Sequence, residues 1–310
     1  MKKIKMQNSS QETLEEVFER FLAASAARGV KVKTLSTYKQ HFKAISKRLN
    51  PEIPIHLLTK KDLESMISRM RTEGLSDTTI SSYTRTLKVF FSWSSSENIT
   101  SIDMSIYKAA ETFKETYSDE ELLLLLKRPS ASCSFCEYRN WTIVNFLMNS
   151  GCRASTIRNI QNQDVDLSHH QITLRHTKNG KIQIIPLCST MVNILSEYMQ
   201  IRKGNKDDYL FCNECGEVLS ENGLSQAIRR YNRARGVQKT SIHSFRHSFA
   251  RKYLIDCGGN AFTLQKLMGH STLNMTKHYC KIFDADIAKD YDSFSPLAQI
   301  QKPKERITKK

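Results

Sequence analysis

A single stretch of alternating apolar and polar residues interrupts a chain whose other apolar patterns have helical spacing. The segments QITLRHT and KIQIIPL alternate with period two and flank Asn179-Gly180, a dipeptide typical of a tight β-hairpin turn. Elsewhere, apolar residues recur three and four positions apart, which is the spacing of an amphipathic helix. The sequence therefore predicts a mainly α fold of the α+β class, with one small β-hairpin sheet.

The first hundred residues predict four short helices. The first has Leu14, Phe18 and Leu22 on one stripe, and Thr59 and Ser76 are placed to cap the third and fourth. Residues 101–117 show no clear apolar period, and we interpret them as a linker. We expect an all-helical N-terminal module at 1–100, followed by this linker.

The rest of the chain predicts a second, mostly helical domain over residues 118–291. Ser118 and Glu121 form a capping box before a leucine run, and a strongly apolar helix ends at Gly151. Helical patterns resume after the hairpin and continue to residue 291. Residues 292–310 form a basic tail that we expect to be disordered.

Charge narrows the possible partners. The 310 residues include 47 Lys and Arg against 31 Asp and Glu, a formal net charge of +16, which favours nucleic acid or an anionic membrane surface. No run approaches the eighteen apolar residues of a spanning helix, and the basic N-terminus lacks the apolar run of a signal peptide. We therefore expect a cytoplasmic protein with reduced cysteines that binds nucleic acid rather than a membrane.

Several reactive polar residues lie at the predicted ends of elements or in turns. Each has an ordinary structural interpretation when taken singly: an arginine after a helix satisfies carbonyls, a lysine beside a hairpin is solvated, and a tyrosine on an amphipathic helix packs in the core. Two of them, His243 and Arg246, lie three residues apart on one helix face, so both could reach one anion. The full set is Arg153, Lys178, His243, Arg246, His270 and Tyr279.

In this order, these motifs resemble those of the tyrosine recombinase (phage integrase) family. They are G-x-R, a lysine at a hairpin, H-x-x-R, G-H-S, and a tyrosine nine residues after that last histidine. The resemblance covers residues 118–291 as the catalytic domain. It extends more loosely to the first hundred residues, which are similar to the family's helical, SAM-like core-binding module.

The resemblance implies a site-specific DNA recombinase and a role for each residue. Tyr279 would attack the scissile phosphate and form a covalent 3′-phosphotyrosine, with His243 as candidate base. Lys178 would protonate the leaving 5′-oxygen. The forked guanidinia of Arg153 and Arg246 suit the charge that develops on the phosphate oxygens, and His270 would donate a hydrogen bond there.

The resemblance also implies how the protein would assemble. The covalent step conserves the energy of the broken bond, so neither ATP nor another cofactor nor a metal is required. Four protomers would bind two double-stranded DNA recombination sites, with possible help from accessory DNA-bending proteins. A helix after Tyr279 would dock on a neighbouring protomer, although it could also fold back on its own domain.

The sequence departs from the family pattern in two respects. Thr156 stands where many members carry an acidic residue, which puts the support of the site in doubt but not its chemistry. Two C-x-x-C pairs indicate a structural zinc site as one interpretation. About 75 residues separate the pairs, however, and four reduced loop cysteines are the simpler interpretation. The remaining cysteines are interpreted as small buried residues. The paired cysteines are Cys133, Cys136, Cys212 and Cys215, and the remaining ones are Cys152, Cys188, Cys257 and Cys280.

Several functions stay open at the level of the sequence. Basic stretches such as KTLSTYKQHFKAISKR and RRYNRAR are interpreted as contacts to DNA phosphates, although each could be a solvated helix face. We expect an integrase or transposase-like enzyme of a mobile element, with a chromosome-dimer resolvase as the alternative. A type I topoisomerase is disfavoured by the short chain and the separate helical module. A non-catalytic DNA-binding regulator is disfavoured by the intact residue set.

Overall fold

The computed structural model describes residues 12–110, 115–177, 180–273 and 276. The chain divides into two compact units, residues 1–113 and residues 114–310. The described part is mainly helical, with one three-stranded antiparallel sheet. This confirms the predicted mainly α fold with a small sheet. No helix in these ranges is long and apolar enough to span a membrane.

The first unit is built from four helices, as the apolar periodicity predicts. They are α1 (Leu14–Ala27), α2 (Val32–Ile45), α3 (Lys60–Thr72) and α4 (Asp77–Ser96), with a 3₁₀ turn at Ile55–Leu57. Thr59 and Ser76 cap α3 and α4 through their hydroxyl groups, as predicted. Aromatic rings fill the core, and Phe18 stacks on Phe42 with ring centroids 4.0 Å apart.

The segment interpreted as a linker has no helix or strand at 101–110 or 115–118. Its first part packs against the core of the first unit, where Met104 is buried and Ile102 and Tyr107 are partly buried. Tyr117, by contrast, lies in the core of the second unit, and its hydroxyl donates to the carbonyl of Ser241 at 3.1 Å. Each unit therefore takes apolar side chains from this segment.

The second unit contains seven helices among the described residues. Ser118 and Glu121 form the predicted capping box at the start of α5, and Gly151 ends α6, also as predicted. The helices are α5 (Asp119–Leu126), α6 (Phe135–Ser150), α7 (Ala154–Ile157), α8 (Ser189–Arg202), α9 (Glu221–Ala234), α10 (Ile242–Leu254) and α11 (Ala261–Met268). Helix α6 is buried along most of its length, and its buried residues include the polar Arg139, Asn140 and Thr142 as well as the apolar ones.

The sheet contains the predicted hairpin and one strand that periodicity did not reveal. Strands β2 (Gln171–Leu174) and β3 (Gln183–Pro186) pair antiparallel, with Ile172 opposite Ile185 and both side chains buried. Strand β1 (Val165–Asp166) pairs with β2 on its other side. Two residues are too few to show an alternating pattern, so the sequence could not indicate β1.

Candidate active site

Two helices of the second unit end at glycines, and predicted site residues follow both. Gly151 ends α6 and Gly269 ends α11, with φ of 57° and 60°, in the left-handed region that side-chain-bearing residues avoid. Arg153 is two residues beyond the first glycine, and His270 directly follows the second. The ends of α6 and α11 thus place two predicted residues, and α10 supplies a third.

Arg246 is buried on α10, and its guanidinium joins the two glycine-capped ends. Nη1 donates to the carbonyl of Gly151 at 2.6 Å, and Nη2 donates to the carbonyl of Met268 at 2.9 Å. Nη2 also donates to Nε2 of His270 at 2.7 Å. A buried guanidinium is tolerated only when hydrogen bonds replace its lost hydration, and here backbone carbonyls do so.

The partners of His270 determine its tautomer. An arginine can only donate, so Nε2 of His270 must accept from Arg246 and carry no proton. The proton of the neutral ring then lies on Nδ1, which donates to Oγ1 of the buried Thr276 at 2.8 Å. If His270 is to donate to a phosphate from Nε2, as the resemblance implies, Nε2 must carry a proton and can no longer accept from Arg246.

Arg153 approaches the same place from α6. It is the N-cap of α7, it is half-buried, and its Nη1 donates to the carbonyl of Gly269 in a long hydrogen bond of 3.5 Å. Arg153 and Arg246 therefore bond to consecutive carbonyls, those of Gly269 and Met268. The structure brings together Arg153, Arg246 and His270, which are separated by up to 117 positions in the sequence.

Of the other three predicted residues, the structure describes only His243. His243 is exposed in the first turn of α10, three residues before Arg246. Lys178 and Tyr279 lie outside the described residues, as does the predicted helix that follows the tyrosine. Their assignments therefore remain predictions.

Sequence reasoning missed Gln183. Its Nε2 donates to the carbonyl of Leu267 at 2.8 Å and also to that of Lys266, so this side chain on β3 binds the last turn of α11. The only sequence signal was an amide in the otherwise apolar segment IQIIPL. That signal does not identify a partner 84 residues away.

Thr156 is buried in α7, and its backbone N–H donates to the carbonyl of Arg153 at 2.9 Å. A carboxylate at this position could pair with an arginine, but a threonine hydroxyl brings no negative charge. The two arginines donate to the carbonyls of Gly151, Met268 and Gly269, and Arg246 also donates to the ring of His270. Backbone dipoles, together with the negative end of α11, thus support the guanidinia.

Cys152 lies between Gly151 and Arg153 and is buried, as predicted. Burial raises the pKa of its thiol to about 11, against the opposing attraction of the Arg246 and Arg153 guanidinia. A thiol with so high a pKa is neutral and unreactive at neutral pH. The prediction of buried cysteines is wrong for Cys188, which precedes α8, and for Cys257, which follows α10, since both are exposed at helix ends.

The structure gives the zinc alternative no support. Cys133 and Cys136 are half-buried, Cys212 is buried and Cys215 is exposed, and the thiol of Cys136 donates to Oε1 of Glu214 at 3.2 Å. The first turn of α6 therefore meets the loop that precedes α9. In the described part of the chain, however, no three His, Cys, Asp or Glu residues are grouped as metal ligands would be.

The basic stretches divide into exposed and structural side chains. Two arginines assigned to DNA bind the protein itself: Arg48 pairs with Glu73, and Arg235 donates to the carbonyls of Leu124 and Lys127 and stacks on Tyr231. Further basic side chains stand exposed on α2, α4 and α9. They include Lys39, Lys43, Arg85, Lys88, Arg229, Arg230 and Arg233.

Comparison with known families covers both units. Residues 115–285 match the phage integrase family, and residues 17–105 match the phage integrase N-terminal SAM-like domain. The first match alone spans more than half of the chain.

The chain belongs to the phage integrase family. It is therefore a tyrosine recombinase, an enzyme that recombines DNA at specific sites. This confirms the family that the ordered motifs indicated, and it also confirms the SAM-like character of the helical first unit.

Individual relatives match along nearly their whole length. A tyrosine recombinase XerD from Staphylococcus haemolyticus is 24% identical over 299 residues, covering 93% of this chain and 100% of the relative. One from Oceanobacillus iheyensis is 26% identical over 286 residues, covering 87% and 95%.

Solved structures share the fold. A Tn1549 transposon integrase in complex with a circular intermediate DNA superimposes with a TM-score of 0.72 at 19% identity, covering 86% of this chain and 94% of that one. A lambda integrase tetramer bound to a Holliday junction gives a TM-score of 0.70 at 21% identity, covering 87% and 78%. XerA recombinase gives 0.51 at 22% identity, covering 91% and 98%.

Proposed function

We propose that the protein cuts and rejoins double-stranded DNA recombination sites through a covalent 3′-phosphotyrosine at Tyr279. The observation that carries this proposal is the convergence of Arg153 and Arg246 on consecutive carbonyls beside His270. Two guanidinia held this close form a site for one dianionic transition state, since forked donors match phosphoryl oxygens. A tyrosine recombinase needs such a site at the scissile phosphate.

The proposed reaction balances without an external reagent. The Tyr279 oxygen attacks phosphorus as its proton passes to His243, the exposed histidine at the start of α10. The bond from phosphorus to the 5′-oxygen breaks, and Lys178 supplies the proton that makes the 5′-hydroxyl. A 5′-hydroxyl from another strand then reverses the same steps, which reseals the DNA and releases the tyrosine.

Charge stabilisation in this scheme falls to the arginine pair. A phosphodiester gains negative charge on its non-bridging oxygens as the tyrosine attacks, and a preorganised pair of guanidinia lowers the barrier without moving. The hydrogen bonds of Arg246 to the ends of α6 and α11 and to the ring of His270 supply that preorganisation. Nothing in the scheme requires a metal or cofactor, so the reaction should proceed with EDTA present.

Assembly follows from the exchange of strands between two sites. We infer a homotetramer on DNA in which a helix after Tyr279 docks on the next protomer, with accessory DNA-bending proteins as possible partners. The lambda integrase tetramer on a Holliday junction, which has the same fold, supports this inference. The enzyme must reach the DNA that it recombines, and we therefore infer that it is cytoplasmic.

We propose an integrase or transposase-like role in a mobile element, because Thr156 departs from the usual acidic residue. A chromosome-dimer resolvase is the second candidate, and end-to-end similarity to recombinases named XerD favours it. The two roles differ in their products. Deleting the gene should abolish circular forms of an element in the first case, whereas it should leave unresolved chromosome dimers in the second.

The covalent intermediate provides the direct test. Wild-type protein and the Tyr279→Phe variant would be mixed with end-labelled, nicked DNA from the sequence flanking the gene, in EDTA, and then denatured. We expect a covalent protein–DNA band with wild type and none with the variant. The matched control Tyr209→Phe, which alters a tyrosine that pairs with Gln161 in an antiparallel β-bridge, should form the band normally.

The outcomes separate the alternatives. An adduct that persists in Tyr279→Phe would show that another residue is the nucleophile. Specific binding of the flanking DNA without any adduct would favour a regulator that retains the fold.

A further inference from the structure

The last turn of α11 is held by side chains from three other elements. The last carbonyls of a helix lack the N–H donors of a further turn, although the N–H of Gly269 donates to the carbonyl of Lys266 at 3.1 Å. Gln183 of β3 donates to those of Lys266 and Leu267, Arg246 of α10 to that of Met268, and Arg153 to that of Gly269 just beyond. The same turn thus anchors both arginines and the sheet.

Gln183 is the uncharged member of this set, and its position is tightly defined. A Cβ on Gly269 would lie 2.7 Å from Oε1 of Gln183, closer than real contacts allow. The glutamine and the glycine turn are therefore packed directly together. Both hydrogens of the Gln183 amide are used on α11, because Nε2 donates to two successive carbonyls.

α11 by itself could not hold this geometry. It has eight residues, and isolated helices of that length are unstable in water. Its last turn is also where a helix frays first. A donor from the sheet fixes that turn against a rigid neighbour, and the carbonyls that receive Arg246 and Arg153 follow directly in the chain.

We propose that Gln183 is a positioning residue for the arginine pair: by fixing the last turn of α11, it fixes the carbonyls that orient Arg153 and Arg246. This inference rests on the proposed function of the two arginines. It also explains how the site can function with threonine at position 156, where many family members have an acidic residue. The support that a carboxylate would give the arginines is supplied by carbonyls that Gln183 holds in place.

Substitution of Gln183 should slow strand cleavage while leaving the fold and DNA binding nearly intact. Gln183→Leu keeps the size but removes both donors, and we expect cleavage to fall about 10- to 100-fold, since misplacement by about 1 Å can cost about 100-fold. Gln183→Lys should retain more activity, because an ammonium group donates to carbonyls and is favoured at a helix C-terminus. The matched control is Gln171→Leu, on the neighbouring strand β2.

A substrate with a neutral scissile group distinguishes positioning of the arginines from a general structural role. Replacing one non-bridging oxygen by methyl removes the charge that the guanidinia balance. Gln183→Leu should therefore be impaired more on the phosphodiester than on the methylphosphonate, as should Arg153→Lys. Thermal unfolding and DNA affinity, measured alongside, should match those of Gln171→Leu.

Each result decides the inference. One result is that Gln183→Leu loses the same factor in cleavage rate on the phosphodiester and the methylphosphonate while Arg153→Lys loses more on the phosphodiester. That result would overturn the positioning role and leave the arginine site intact. Equal losses for Arg153→Lys as well would overturn the arginine site and the inference with it. A third substrate has sulfur in place of the 5′-bridging oxygen, and this leaving group needs no proton from Lys178. If it restores cleavage by Gln183→Leu selectively, Gln183 acts through the hairpin that carries Lys178, which also overturns the inference.

Discussion

Individual side chains determine the electrostatics of the candidate site. Arg246 bonds to the carbonyls of Gly151 and Met268 and to His270, while Arg153 makes a single long hydrogen bond to Gly269 and is half-buried. The first guanidinium is part of the protein interior. The second is more accessible to an incoming phosphate, so its loss can be tested with less damage to the fold.

Arg153→Lys should slow cleavage steeply and change DNA affinity little. Lysine keeps the charge but loses the planar fork that binds two phosphoryl oxygens at once. We expect a decrease of about 100- to 1,000-fold in the single-turnover rate, the effect of removing one donor from an anion-stabilising site. Arg158→Lys is the control, because that arginine of the same segment donates to the carbonyl of Leu219 instead. Equal losses in both variants would contradict the assignment.

The buried thiol of Cys152 makes stability depend on alkaline pH. Its folded pKa, about 11, lies above the ordinary value of 9.0, because burial disfavours the thiolate. This contribution is therefore fully present below about pH 9 and is lost as the pH rises through about 11, at roughly 1–3 kcal/mol. Burial also raises the pKa of Tyr117, Tyr198 and Tyr231, which adds to the loss at higher pH.

Urea unfolding at several pH values would measure this dependence. Wild type should lose stability between pH 9 and 11, and Cys152→Ala should show a shallower decrease. Cys188→Ala, which removes an exposed thiol, should follow wild type. Parallel slopes for all three proteins would show that Cys152 does not titrate as described.

Helix ends are the elements that build the site. The close of α6 requires a residue that tolerates positive φ and leaves room for a neighbour, because a Cβ at position 151 would lie 2.2 Å from the ring of Phe249. The same residue offers its carbonyl to Arg246. The helix stop is thus also part of the support of the site.

Gly151→Ala should destabilise the second unit and slow cleavage. The left-handed backbone costs an alanine about 1 kcal/mol, and the clash with Phe249 should raise the total to about 2–4 kcal/mol. Gly236→Ala is the matched control, since that glycine has φ of 77° and a Cβ added to it would meet no atom within 4 Å. Urea denaturation of both variants would measure the difference, and equal stabilities would exclude the clash.

Local signals predicted the elements that are long enough to carry them. The capping box at Ser118, the glycine stop at Gly151 and the hairpin around residues 179–180 each act within a few residues, and β2, β3 and the helices confirm them. The four-residue α7 and the two-residue β1 were missed because both are too short for an apolar pattern to repeat.

At the scale of the whole molecule, net positive charge should dominate binding to DNA. The formal charge is +16, and basic side chains stand exposed on α2, α4 and α9. If the protein contacts about six to ten phosphates, affinity for non-specific DNA should fall about 10³- to 10⁵-fold between about 50 and 200 mM salt.

Single charge removals would assign these contacts. Arg230→Ala on α9 should reduce the slope of log affinity against log salt by about one, measured by fluorescence anisotropy. Arg235→Ala should leave that slope unchanged and lower stability instead, because Arg235 is bound to the carbonyls of Leu124 and Lys127. The reverse pattern would show that α9 does not face DNA.

The sequence by itself determined the helical character of the chain, the hairpin, the family and the ordered set of candidate residues. Periodicity and capping act over a few residues, and the order of the motifs can be read directly from the sequence. Only the tertiary structure decided that Arg153, Arg246 and His270 meet at the end of α11, that Gln183 holds that end, and that Arg48 and Arg235 serve the fold. Those outcomes depend on hydrogen bonds between residues 24 to 116 positions apart, and no local pattern encodes such partners.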